Sequence, residues 1–176
     1  DVTILCREID DESEFYKENL KSGNSWEITE FIRQIDARVQ KQCKDRGFHS
    51  LCPYFHIVLE EAVLNGWIHG NLRNPDKNLT VRWRFGNDFH LEVQDEGQGF
   101  DYDSVPDPTD SDNLTKLSGR GIFIIRHFSG GVKWKHGGRC VAITFRKHAV
   151  PSPDNKAIDR LISLRKARTE SVCETS

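Results

Sequence analysis

The chain has 176 residues, of which 36% are hydrophobic and 30% charged, and its formal net charge is −2 at pH 7. This length suits one domain with a core large enough to fold without disulfides or metals. The acidic balance argues against direct nucleic-acid binding, and no segment reaches the ~18 apolar residues of a membrane span.

The hydrophobic pattern predicts helices in the first half of the chain and hairpins in the second. Apolar residues at i, i+3, i+4 and i+7 indicate two amphipathic helices, the first ended by Gly47 and the second opened by Pro53. Alternating residues around Gly86-Asn87-Asp88 and Gly137-Gly138 indicate two hairpins. The predicted elements are strand 2–9, helices 26–46 and 53–70, strands 79–85 and 89–94, helix 121–128, strands 131–136 and 139–146, and a charged helix at 154–168.

This order of elements predicts an α/β two-layer sandwich with a mixed, largely antiparallel sheet and helices on one face, because a doubly wound parallel sheet would need more crossover helices. The acidic segment 101–118 has the length of a lid or binding loop. We divide the chain into an N-terminal strand with a polar acidic segment (1–24), a central domain (25–147) and a charged tail with a short helix (148–176).

The cysteines are odd in number, scattered, and form no C-x-x-C pair. Such usage is typical of a reducing compartment, and we therefore expect a cytoplasmic protein. The five positions are Cys6, Cys43, Cys52, Cys140 and Cys173.

The first of three informative segments pairs Glu61 with Asn65, four residues apart on one face of a predicted helix. Asn65 offers a neutral oxygen ligand for Mg²⁺, and Glu61 can accept a proton from an attacking hydroxyl or water. Taken alone, Glu61 is better explained as a solvated surface residue. Glu60, the competing candidate base, lies about 100° round the helix and off the Asn65 face.

The second segment begins with Asp95, where an apolar strand ends. A carboxylate there can accept a hydrogen bond from an exocyclic amine and so select adenine over guanine, although an Asp that starts a turn explains the residue equally well in isolation. Gly97 and Gly99, which flank a single residue, predict a close approach of the backbone to another group.

The third segment, Gly119-Arg120-Gly121, opens an apolar helix. Amides at a helix N-terminus bind phosphates well, and Arg120 with nearby Lys116 adds positive charge. Gly119 and Gly121 also suit the ordinary start of a helix. Rival nucleotide motifs are missing from the sequence, since it has neither a P-loop nor the third glycine of a dinucleotide fingerprint.

The ordered set Glu61-x-x-x-Asn65, Asp95-x-Gly97-x-Gly99-Phe100 and Gly119-x-Gly121 resembles the N, G1 and G2 boxes of Bergerat-type ATPases. More narrowly, residues 60–71 and 105–126 resemble bacterial anti-sigma-factor serine kinases. The resemblance covers roughly residues 25–147 and implies a histidine-kinase-like ATPase fold with an ATP lid at 101–118.

The resemblance also implies roles for the site residues. ATP would bind with Mg²⁺ held by Asn65, adenine would be read by Asp95, and the turn from Gly119 to Gly121 would meet the phosphates. Glu61 would be the base that activates a serine or threonine hydroxyl. Some relatives carry an Arg just before the second glycine pair where this chain has Leu117, so phosphate contact would fall to Arg120 or Lys116.

The implied partners are an anti-anti-sigma protein with a STAS domain, which the kinase phosphorylates, and a sigma factor that competes with it. Relatives of this kind are often homodimers. Two alternatives stay open: a nucleotide-gated module that sequesters a partner without efficient phosphotransfer, and the separate ATPase domain of a histidine kinase.

Overall fold

Six strands form one sheet in the computed structural model, which describes residues 8–10, 13–21, 23–101 and 120–147. Their spatial order is β1-β2-β3-β4-β6-β5, and every neighbouring pair is antiparallel. The strands are β1 (Glu8–Asp10), β2 (Ser13–Lys21), β3 (Asn78–Phe85), β4 (Asp88–Gln94), β5 (Gly131–Lys135) and β6 (Cys140–Arg146).

The predicted two-layer sandwich is confirmed, and its sheet is antiparallel throughout the described strands instead of mixed. The difference arises at β4 and β5. These two strands run in the same direction and are connected through a helix, but β6 inserts between them and is antiparallel to both. The predicted hairpins β3–β4 and β5–β6 are present.

In the described part of the chain, three α-helices cover one face of the sheet: α1 (Ser25–Arg46), α2 (Cys52–Asn65) and α3 (Arg120–Phe128). Helix α1 begins with a capping box, in which the Asn24 side chain accepts from the Glu27 amide and the Glu27 carboxylate accepts from the Asn24 amide, both at 3.0 Å. It ends at Gly47, whose φ of 76° is left-handed, as the sequence predicts. None of the described helices is long and apolar enough to cross a membrane.

Helix α2 continues as a π-helical segment, Gly66–Gly70. The helical conformation therefore ends where the sequence predicts, but the last turn is wider than an α-helical turn. Wide turns of this kind are frequent at functional sites because they shift the side chains that follow.

The core lies between the helices and one face of the sheet. Every second residue of β3 and β4 is buried there, and the opposite face carries charged residues such as Arg82, Glu92 and Lys135, whose side chains form ion pairs. The apolar faces of α1 and α2 are buried at Ile28, Phe31, Ile32, Ile35, Val39, Phe55, Leu59, Ala62 and Val63.

Strand β2 lies within the polar stretch for which the sequence predicted no regular element. Its inward residues are Tyr16, Glu18 and Leu20, and the buried Glu18 carboxylate pairs with Arg38 of α1. A charged residue at an inward position interrupts the apolar alternation that identifies a strand. The sheet thus extends across the domain boundary predicted before residue 25.

Several predictions concern residues outside the described ranges. They include most of the strand predicted at 2–9, the lid beyond Asp101, and the helix at 154–168. The division of the chain into 1–24, 25–147 and 148–176 also stays a prediction.

Candidate functional site

The first and third predicted segments meet where the end of α2 faces the start of α3. A Cβ atom on Gly121 would lie 2.5 Å from Glu61 Oε2 and 3.1 Å from Asn65 Nδ2. Both distances are shorter than an ordinary contact, so only the hydrogen of glycine fits without displacing a side chain. The structure therefore brings Glu61, Asn65 and Gly121 together, although they are up to sixty residues apart in sequence.

The Asn65 side chain is partly exposed, but its amide nitrogen is buried and has no hydrogen-bond partner among the described residues. A buried polar atom without a partner costs free energy, so such atoms are often found where a ligand completes the site. The amide can rotate to present either its nitrogen or its oxygen at this place. The oxygen is a suitable ligand for Mg²⁺, which takes few protein ligands and binds phosphate oxygens and water besides.

Within the described residues, no group of three or more His, Cys, Asp and Glu side chains is placed to hold a metal. A magnesium ion shared with phosphates does not need such a group. The Asn65 side-chain oxygen would fit a magnesium ion whose other ligands are phosphate oxygens and water.

Asp95 is 8% exposed and lies directly after β4. Its backbone amide donates to the Arg139 carbonyl at 2.9 Å, and its Oδ1 accepts from the Gly97 amide at 2.7 Å. Burial raises the pKa of Asp95, against the opposing effects of the Gly97 amide and of the charges on Arg139 and Lys77. The side chain is thus held in one orientation.

Three glycines line the space around Asp95. A Cβ on Gly70 would overlap the Asp95 carboxyl group, and one on Gly97 would overlap the Gly70 carbonyl oxygen. A Cβ on Gly66 would lie 2.9 Å from Leu79 Cδ2 and 3.6 Å from Asp95 Cβ. The sequence analysis identified Gly97 but missed the part played by Gly66 and Gly70. Their i, i+4 spacing at the end of a helix was the available signal.

The backbone at Gly99 closely approaches another group, as the sequence predicts, and that group is the β5–β6 turn of the protein itself. Gly99 has a φ of 80°, and a Cβ there would overlap the Gly137 carbonyl oxygen in the β5–β6 turn. In the same turn, a Cβ on Gly138 would overlap the backbone of Phe100. The β5–β6 turn therefore fixes the path of the chain as it leaves Asp95 toward the segment predicted to be a lid.

Asn71 is a positioning residue that the sequence analysis missed. It is fully buried, donates through Nδ2 to the Asn78 carbonyl at 3.0 Å, and accepts through Oδ1 from the Glu96 amide at 2.9 Å. These bonds tie the end of the π-helical segment to the start of β3 and to the residue after Asp95. The sequence shows only an Asn in a turn-rich stretch, which does not indicate such a role.

The remaining predicted site residues are described less fully. Lys116 and Gly119 lie outside the described residues, and Arg120 is described only as the first residue of α3. Their predicted phosphate contacts stay predictions. The positive charges that the structure does place near Asp95 belong to Arg139 and Lys77.

The structure combines a helix-covered antiparallel sheet, a buried carboxyl group packed against glycines, and an Asn–Glu pair that faces a helix N-terminus. This is the arrangement of a sandwich-type ATPase domain. The sequence model of the histidine kinase-like ATPase domain matches residues 29–147. The chain belongs to this family and is an ATP-binding module, and domains of the family usually bind ATP with Mg²⁺. A comparison with curated proteins gives no significant match.

Proposed function

We propose that this protein is an ATP-dependent serine/threonine kinase of a partner-switching system. It phosphorylates an anti-anti-sigma protein with a STAS domain and, in its other complex, binds a sigma factor. The observation that supports phosphotransfer is the position of the Glu61 carboxylate beside Asn65 and against the first turn of α3. The proposal includes a cytoplasmic location and a homodimeric state.

The adenine end of the site is assigned to Asp95. Its Oδ1 already accepts from the Gly97 amide, so Oδ2 is the oxygen that accepts from the exocyclic amine of adenine. Guanine presents a carbonyl oxygen at that position, which a carboxylate repels. The close packing of Gly70 and Gly97 on the carboxyl group keeps it from turning away.

The phosphate end is assigned to Asn65 and the start of α3. Asn65 would hold magnesium through its side-chain oxygen, and that ion supplies neutralising charge to the phosphates when bound. The first amides of α3, together with Lys116, Gly119 and Arg120, would bind phosphate oxygens. Glu61 would then take the proton of the attacking hydroxyl, as a carboxylate within reach of the reacting group can do.

A protein acceptor is favoured by two exposed apolar side chains next to the site. Leu72 is 73% exposed and directly follows Asn71, and Phe100 is 41% exposed and directly follows Gly99. Trp26 is the other large hydrophobic side chain among the exposed described residues. Apolar groups on the rim of an ATP site can contact a protein substrate.

The test compares Glu61→Gln with Glu60→Gln, which changes the neighbouring carboxylate on another face of α2. Each variant is incubated with Mg-ATP and with purified STAS-domain proteins from the source organism, and acid-stable phosphate on the acceptor is measured. We expect Glu61→Gln to lose about 10²–10⁴-fold in transfer rate while it still binds ATP, and Glu60→Gln to resemble the parent.

Three results would contradict the proposal. Transfer by Glu61→Gln at the parent rate would show that Glu61 is not the base. ATP-dependent binding of a STAS protein with no phosphate transferred by the parent would instead support the nucleotide-gated binding module. Acid-labile phosphate on a histidine would indicate a histidine kinase domain.

A further inference from the structure

Two thiols that the ATP site does not use lie next to each other at the junction of α1 and α2. Cys43 is in the last turn of α1 and is fully buried, and Cys52 is the first residue of α2 and is half-buried. Cys52 is among the groups that raise the pKa of Cys43, so the two thiols are close enough to interact. The junction contains no other described cysteine, since Cys140 lies in β6.

Backbone and side-chain hydrogen bonds hold the two cysteines in this arrangement. The Phe48 amide donates to the Cys43 carbonyl at 2.9 Å, and the Cys52 thiol is 3.6 Å from the Phe48 carbonyl oxygen, to which it donates. From one turn earlier on α1, Gln40 Nε2 donates to the Cys52 carbonyl at 2.7 Å. Phe48 is therefore bonded to both cysteines, and Gln40 adds a third bond that holds the start of α2 against α1.

We propose that Cys43 and Cys52 are a redox-active dithiol that forms a reversible disulfide between α1 and α2 under oxidising conditions. The oxidant is a peroxide. The Cys52 thiol, which solvent can reach, is oxidised to a sulfenic acid as the peroxide is reduced to water. The Cys43 thiol then attacks that sulfur, the S–S bond forms, and a second water leaves with the Cys43 proton.

The order of these two steps follows from burial. Burial, helped by the nearby Cys52 and Asp36, raises the pKa of the Cys43 thiol well above its ordinary value. A buried, protonated thiol reacts poorly with a peroxide, because the thiolate is the nucleophile. Cys52 is consequently the thiol that meets the oxidant. Cys43 then resolves the sulfenic acid because it is the neighbouring thiol, and it gives up its proton as it attacks.

The cross-link would stabilise the helix pair without touching the ATP site. It closes a loop through residues 44–51, which lowers the entropy of the unfolded chain. Asn65 is at the far end of α2, about 20 Å away at 1.5 Å per residue. Oxidation should therefore change thermal stability and leave the affinity for ATP nearly unchanged.

The experiment treats the full chain with hydrogen peroxide, blocks remaining thiols in denaturant, and maps tryptic peptides without reduction. The disulfide would join the peptide 42–44 to the peptide 47–73, which contain Cys43 and Cys52 as their only cysteines. We expect this linked pair in the oxidised protein and its loss after dithiothreitol. The midpoint of thermal unfolding should rise by about 5–10 °C on oxidation.

Cys52→Ser is the principal variant, because its half-buried position tolerates a hydroxyl, and Cys140→Ala is the matched control. Cys52→Ser should abolish both the linked peptides and the rise in midpoint, whereas Cys140→Ala should retain both. Oxidation of Cys52 to sulfinic acid without a linked pair would overturn the proposal. So would a link from Cys52 to Cys6, Cys140 or Cys173.

Discussion

The substitution Gly121→Ala tests the contact between α2 and α3 most directly. The added methyl carbon would lie 2.5 Å from Glu61 Oε2, against roughly 3.5 Å for an ordinary contact, so the carboxylate must retreat by about 1 Å. A displacement of this size at a reacting group can reduce a rate by about 10²-fold. Asn65 Nδ2, at 3.1 Å, needs to move only a few tenths of an ångström, so ATP affinity should fall by no more than about tenfold.

The fold should tolerate this change, because the displaced atom is the end of a flexible side chain. Alanine also favours a helix over glycine by up to about 1 kcal/mol. We therefore expect a variant whose midpoint of thermal unfolding is within about 3 °C of the parent. The loss should appear in turnover of Mg-ATP, measured as phosphate release or transfer, and less in ATP affinity, measured by calorimetry.

The matched control is Gly131→Ala at the start of β5, where a Cβ meets no atom within 4 Å. It should leave turnover, affinity and stability at parental values. A folded Gly121→Ala protein that turns over ATP at the parental rate would refute the reasoning, because the space between α3 and Glu61 would then have no part in the reaction.

Four further outcomes follow from the contacts of buried carboxyl groups. Asp95→Asn should reduce the preference for ATP over GTP by about tenfold or more in paired titrations. The folded pKa of Asp95 is raised above 3.8, so the free energy of unfolding of the parent should fall as the pH rises from 3.8 through that folded pKa. In denaturant unfolding at the same series of pH values, Asp95→Asn should show a smaller fall. Gly70→Ala, whose methyl overlaps the Asp95 carboxyl group, should weaken ATP binding about tenfold or more by calorimetry. Arg38→Ala leaves Glu18 buried without its partner and should cost about 1–3 kcal/mol in urea unfolding. Arg33→Ala, which removes an exposed ion pair, should have a much smaller effect in the same assay.

Helix α1 and the hairpins could be predicted because their signals are local. The apolar stripe of α1, its stop at Gly47 and the turn at Gly86 each depend on residues within a few positions. Strand β2 could not be predicted in the same way. Its inward Glu18 is stabilised by Arg38, which is twenty residues away on α1, and no window along the sequence shows that pairing.

In the candidate site, too, the residues with local sequence signals could be predicted, and those that depend on tertiary contacts could not. Glu61 and Asn65 share a helix face by spacing alone, and the structure adds that this face meets Gly121. Asn71 could not be identified beforehand, because its two hydrogen bonds join segments that become neighbours only in the fold. The wide turn of the π-helical segment is also a tertiary feature, since no residue in it requires that conformation.

The glycines show most clearly that a sequence motif does not identify the group that packs against each of its residues. Glycine at Gly97, Gly99 or Gly121 indicates that something comes close, but the sequence does not say what. The structure places a protein backbone against Gly97 and Gly99, and the Glu61 and Asn65 side chains against Gly121. A side chain at Gly99 would therefore distort the path of the chain after Asp95, and its effect on ATP would come through the fold. At Gly121 the same methyl group would reach Glu61 and Asn65, which are proposed as the base and the magnesium ligand. Glycines that look equivalent in the motif should therefore differ in whether stability or turnover is lost first.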